Sequence, residues 1–172
     1  LVLSEEISGE PTFEDSASVL AKEIESGRLR LKHWNASCDR FVARVNFAAT
    51  KCPELEIEPI NDIARRMVLE QFCLGAKSWR SVRNKDVFPF LCEWLTGEQR
   101  AALDQLVPEE IDLPARKSPA RLRFDEDGEV TLAATVQDLY DLDDTPTIAS
   151  GKYFLRVEIL APNRRPVQVV RN

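Results

Sequence analysis

Apolar residues recur every three or four positions through the first two-thirds of the chain and alternate with polar ones thereafter. That change of period predicts helices first and a sheet second. Phe13, Ala17, Leu20, Ala21 and Ile24 share one helical face behind Thr12-Phe13-Glu14-Asp15, a capping-box sequence, and Gly27 supplies the stop. Trp34, Cys38, Phe41, Val42, Val45, Ala48 and Ala49 give the cleanest amphipathic stripe, with Asp39, Arg40 and Arg44 expected to face water. A linker bracketed by Pro53 and Pro59 follows. The next helix, near 61–76, carries Ile63, Met67, Val68, Phe72 and Cys73, while Ala64, Leu69 and Leu74 make neighbouring faces apolar too. Apolar residues on several faces predict a central position. A fourth helix starts within 84–95, where Pro89 fits only a first turn. Thr96-Gly97-Glu98-Gln99 then caps a short helix that runs through Leu106 and stops at Pro108.

Beyond Pro114 the alternation predicts strands near 120–124 and 130–136, joined by a tight turn at Asp127-Gly128. A short helix in 136–142 and a loop over 145–151 come next. A strand over 152–160 follows, and 166–170 pairs back on it through a turn at 161–166. The expected fold is therefore α+β. An N-terminal helical subdomain spans 1–110, its first four residues reading as the end of an upstream β element. A small β-β-α-β-β sheet subdomain spans 111–172, truncated at its C-terminus. The chain opens on Leu1-Val2-Leu3 without Met and stops soon after Pro166. Both ends read as cuts through something longer.

The net charge of -6, with a pI near 5.0, argues against a strongly basic nucleic-acid binder but leaves room for a local patch. No apolar run is long enough to span a bilayer, so no membrane partner is expected. Cys38, Cys52, Cys73 and Cys92 contain no Cys-x-x-Cys pair, and the single histidine, His33, is near none of them in sequence except Cys38, five residues on. That spacing predicts reduced thiols in a cytoplasmic protein and no metal site.

Catalytic signatures are absent. Gly151-Lys152 lacks the other residues of a phosphate-binding loop, with Pro146 and Tyr153 where Gly and Ser or Thr are needed. Asp125 and Asp127 alternate like the start of a calcium loop, but Gly128 falls at the fourth position, not the sixth. Asp138, Asp141, Asp143 and Asp144 have no identifiable partner base, and there is no nucleophile elbow. No catalytic, cofactor-binding or metal-binding residue is expected in this chain.

Two basic clusters are candidate contact residues. One is Arg116, Lys117, Arg121 and Arg123; the other is Arg164, Arg165 and Arg171, with Lys152 on the strand between. Were the first and last strands neighbours, these would form one positive face toward RNA or an acidic partner. The simpler reading of the same residues is edge-strand protection against aggregation. Phe124, Tyr153 and Phe154 are the few aromatics at hand for base stacking.

Four stretches together resemble the C-terminal region of bacterial HrpB-type ATP-dependent helicases, a branch of the DExH-box (DEAH/RHA-like) group. They are LRLKHWNASCDRFVARVNFAA, LDQLVPEEIDLP, VQDLYDLDDTPTIASGK and ILAPNRRPVQVVRN, and they occur in family order. The first holds a Leu-x-x-Trp followed by Ala43-Arg44-Val45-Asn46. Thr147, where a basic residue is common, and Asp141, where Gly is common, make this surface more acidic than the family pattern. The resemblance implies an accessory region behind an upstream helicase core in the same chain, two RecA-like domains among it. It implies an intact protein that uses ATP and magnesium to remodel RNA, with the residues for that work outside this sequence. An independent protein-interaction module is the alternative.

Overall fold

The computed structural model describes residues 13–125, 127–161 and 165–170. Six helices come first: α1 (Phe13–Glu25), α2 (Ala36–Lys51), α3 (Asp62–Cys73), α4 (Trp79–Val82), α5 (Phe88–Cys92) and α6 (Gly97–Leu106). Local chemistry explains where they start. Asn35 accepts from the Ser37 amide ahead of α2, and Asn61 from the Ala64 amide ahead of α3. The predicted box at Thr96 is complete: its hydroxyl accepts from the Gln99 amide while the Gln99 side chain accepts from the Thr96 amide. Thr96→Ala is expected to lower stability by about 1 kcal/mol in urea unfolding. A loss no larger than that of an exposed control substitution would mean that α6 does not depend on this cap. The box expected at Thr12 lies outside the described residues. Gly27 and Gly75 follow α1 and α3 with φ of 75° and 76°, the left-handed backbone that stops a helix cheaply.

Three expectations for the helical part are corrected. Arg44 does not face water: it is buried, because its guanidinium reaches across α2 to the segment that leaves α6. Second, α3 is not central. It lays Ala64, Val68, Leu69, Phe72 and Cys73 inward, while Ile63, Met67 and Leu74 are 72%, 56% and 54% exposed. It packs along α1, pinned where Ser18 donates to Glu70 and Arg66 to Glu25, and touches α5 besides, so its remaining face turns to water. Third, the helix expected within 84–95 contracts to α5, with Pro89 in its first turn, and a separate short turn, α4, precedes it.

The second part forms a five-stranded sheet in the order β1-β2-β3-β6-β7, from β1 (Glu110–Ile111), β2 (Ala120–Phe124), β3 (Val130–Thr135), β6 (Arg156–Leu160) and β7 (Pro166–Val170). All neighbours are antiparallel except β3 and β6, which run parallel. The turn between β2 and β3 is the predicted one, with Gly128 at φ 79°. A 3-10 turn at Gln137–Leu139 stands where the short helix was expected. The loop expected over 145–151 contributes β4 (Thr147–Ile148), which pairs with β5 (Tyr153–Phe154) in a small separate ladder. The single strand expected over 152–160 is consequently broken. Leu155 turns into the core at the break, its amide donating to the Pro146 carbonyl. One hydrophobic cluster joins helices and sheet: Phe41, Phe72 and Leu103 from the helices meet Leu122, Leu132 and Leu155.

Candidate functional site

The sheet order keeps the two basic clusters apart. β2, with Arg121 and Arg123, is separated from β7 by β3 and β6, so the first and last strands are not neighbours. Arg164 and Arg171 lie outside the described residues; Arg165 is exposed just before β7.

Most of the remaining candidates are neutralised where they stand. Arg121 pairs with Glu110 at 2.9 Å, across the β1–β2 register. Arg123 spans Asp125 at 2.7 Å and Glu158 at 3.0 Å, and the bond to Asp125 raises its pKa. Lys152 pairs with Glu54 at 2.8 Å; that bond raises the lysine pKa and lowers the glutamate's. Arg116 reaches the Ser118 hydroxyl at 3.4 Å, and Lys117 is exposed beside it. Arg116 and Arg121 do share a groove of about 460 Å³ on the outer sheet face, with Thr135, Asp138 and Leu160. No aromatic side chain lines it.

A different cleft, of about 450 Å³, opens along α2. Its floor is one continuous helical face, Asp39, Ala43, Asn46, Phe47 and Thr50, at the i, i+4, i+7, i+8, i+11 spacing. Trp34 and Arg65 wall one end; Phe124 and the β2–β3 turn wall the other, where Lys51 also stands. Each wall is set by packing. The Arg65 guanidinium lies 4.2 Å from the centre of the Trp34 ring, whose indole N–H donates to Asp39 at 2.7 Å. Phe47 meets Phe124 and Tyr153 edge-on at 5.8 and 4.8 Å. Asn46 ties the floor to the scaffold, accepting from the Ile60 amide and donating to the Ile60 carbonyl.

Charge pairing around this cleft is one-sided. Asp125 accepts from Arg123 and from Thr131, and Arg156 reaches Asp125, Asp127 and Glu129 together. Its bond to Asp127 is the main reason the Arg156 pKa is raised. Among the described residues, neither Lys51 nor Arg65 has a carboxylate partner; each instead lies over an aromatic ring, Lys51 at 5.8 Å from Tyr153. The cysteines stay apart from this chemistry. Burial pushes the Cys73 thiol up to about 11 and raises the pKa of Cys38, Cys52 and Cys92 as well. Among the described residues no three His, Cys, Asp or Glu side chains are placed to hold a metal ion.

Residues 68–172 match the family described as HrpB, ATP-dependent helicase C-terminal, which is more than half of the chain. The chain belongs to the HrpB C-terminal family. The ATP-dependent RNA helicase HrpB of Escherichia coli is 26% identical to it over 166 residues, covering 94% of this chain and 20% of that protein. The fold agrees. The crystal structure of the E. coli DExH-box NTPase HrpB superposes with a TM-score of 0.79 at 26% identity, over 95% of this chain and 21% of that one. That of the E. coli DEAH/RHA helicase HrpB gives 0.75 at 25% identity, over 100% and 22%. The chain spans about a fifth of the length of these relatives.

For this HrpB C-terminal chain, the sequence pointed to cations on the strands, and Trp34, Lys51 and Arg65 of the cleft were not among its candidates. The one signal available was that Trp34, Ala43 and Asn46 belong to the first of the family-like stretches, and all three line the cleft.

Proposed function

We propose that this chain is the accessory C-terminal region of an ATP-dependent RNA helicase, packed on a motor core elsewhere in the same polypeptide and serving its RNA path. ATP and magnesium are bound by that core, and this region has no catalytic site of its own. What supports the reading is that nearly all of the chain aligns with one-fifth of the E. coli helicase HrpB. Among the described residues no helix is long and apolar enough to cross a membrane, which suits action in the cytoplasm. The test compares native protein from the source cells with the 172-residue chain alone. The native protein is expected to be several times heavier than 19.5 kDa and to hydrolyse ATP with magnesium, and the chain alone to hydrolyse none. A native mass near that of the chain would make it an independent interaction module instead.

A further inference from the structure

We propose that the cleft along α2 binds a short stretch of single-stranded RNA, its bases against the Trp34 and Phe124 ends and its phosphates at Arg65 and Lys51. The inference rests on the helicase reading above and names the site through which this region would meet the strand. Three observations carry it together.

The first is shape. The floor from Asp39 to Thr50 covers eleven helical steps, a run of about 16 Å. An elongated groove suits a strand laid along it better than a compact metabolite.

The second is the chemistry of the walls. Unstacked bases are held by aromatic faces and by guanidinium planes. Here Trp34 and Arg65 already stack on one another, and Phe124 stands at the far end. The outer-sheet groove at Arg116 and Arg121 has cations but no aromatic side chain, so it lacks half of that chemistry.

The third is charge. The cleft holds three carboxylates, yet each is already engaged: Asp39 by the Trp34 indole, Asp125 by Arg123 and Thr131, and Glu129 by Arg156 at 3.5 Å. Lys51 and Arg65 are exposed and have no carboxylate among the described residues. Cations without internal partners are the ones that gain from meeting phosphate, since an ion pair already made must first be broken. That contrast separates them from Arg121, Arg123 and Lys152, each of which holds a carboxylate within 3.0 Å. The surround stays acidic, since Asp39 keeps its charge beside the indole and Arg123 and Arg156 between them serve Asp125, Asp127, Glu129 and Glu158, so phosphate contact falls to Lys51 and Arg65. The engaged carboxylates retain acceptor lone pairs, which suits the exocyclic amino groups of bases.

The test titrates the 172-residue chain into a fluorescein-labelled oligoadenylate of about ten nucleotides, followed by anisotropy between about 50 and 200 mM salt. The Lys51→Gln, Arg65→Gln double variant is expected to flatten the log–log salt slope by roughly 1.4, about 0.7 for each lost phosphate contact. Trp34→Leu is expected to weaken binding about fivefold or more at the lower salt. Arg121→Gln, whose partner Glu110 lies outside the cleft, should leave both slope and affinity as they were. Lys51 and Arg65 are exposed, so a matched melting temperature for their double variant shows that the fold is intact.

Absence of binding by the parent chain would overturn the proposal, as would equal binding by the Lys51/Arg65 variant or by Trp34→Leu. So would displacement of the RNA by oligoglutamate at the concentration needed of unlabelled RNA, which would identify an acidic peptide as the partner. A native protein that hydrolyses ATP while its C-terminal chain fails this titration removes the cleft assignment and leaves the helicase reading standing. A native protein without ATPase activity removes the helicase reading itself.

Discussion

Phe72→Ala is expected to destabilise the chain by about 3–5 kcal/mol, measured as a shift of the urea midpoint followed by tryptophan fluorescence. The ring is completely buried on the inner face of α3. It meets Phe90 of α5 edge-on, with centroids 5.3 Å apart and planes at 89°, and the Lys85 ammonium lies 5.3 Å from its centre. Truncation therefore loses the transfer energy of the ring, an aromatic pair, and the packing of α3 against α5. Close-packed surroundings relax only in part, so a cavity remains. Met67→Ala on the same helix is the control. Met67 is 56% exposed, so its loss is expected within about 0.5 kcal/mol. If the two variants were equally destabilised, α3 would be rotated about its axis relative to the structure described.

Arg44→Met is expected to cost about 2–3 kcal/mol in the same assay. The guanidinium, 3% exposed, donates to the Val107 carbonyl at 2.8 Å, to Asp104 at 2.8 Å and to Glu109 at 3.1 Å. It thus ties α2 to the end of α6 and to the entry of β1. Methionine fills most of the volume but leaves the Val107 carbonyl without its donor and two carboxylates without their shared cation. The cost stays below that of a fully buried broken pair because Asp104 and Glu109 are 64% and 38% exposed and are rehydrated. Asp104→Asn, which keeps Arg44 and its bonds to Val107 and Glu109, is expected to lose less than about 1 kcal/mol. A loss for Arg44→Met no greater than for Asp104→Asn would show that the guanidinium does not hold this junction.

These two residues also divide the family-like stretch Ala43-Arg44-Val45-Asn46 by task. Arg44 and Val45 turn inward and serve the scaffold. Ala43 and Asn46 line the cleft, and Asn46 serves both, since its amide fixes the Ile60 backbone. The resemblance therefore combines residues kept for packing with residues placed at a surface. Spacing alone does not tell them apart.

Helix starts, stops and the main hairpin were legible because their causes are local. Thr96 and Gln99 satisfy each other's amides within one turn, Gly27 takes a left-handed φ where α1 ends, and Gly128 does so between β2 and β3. The strand expected over 120–124 forms, with Ala120 and Leu122 buried and Arg121 and Arg123 exposed in alternation. Where the reading departed from the structure, the cause was distant in sequence. Ile63 and Met67 are apolar at helical spacing, and only the placing of α1 and α5 decides that they face water. Arg44 looks like a surface cation until Val107 and Glu109, more than sixty residues away, are brought beside it. Lys152 and Glu54, 98 residues apart, cancel in the same way.

The sequence by itself determined the order of the main helices and strands and the α+β class, since periodicity, caps and turns act over a few residues, while the family rested on the resemblance of four stretches. Tertiary structure alone decided which charges are spent and which remain. A cation's availability depends on carboxylates that the fold brings within 4 Å, and those come from anywhere in the chain. For that reason the arginines of β2, conspicuous in the sequence, are paired. Lys51 and Arg65, unremarked among helical surface residues, face a cleft with no carboxylate partner among the described residues.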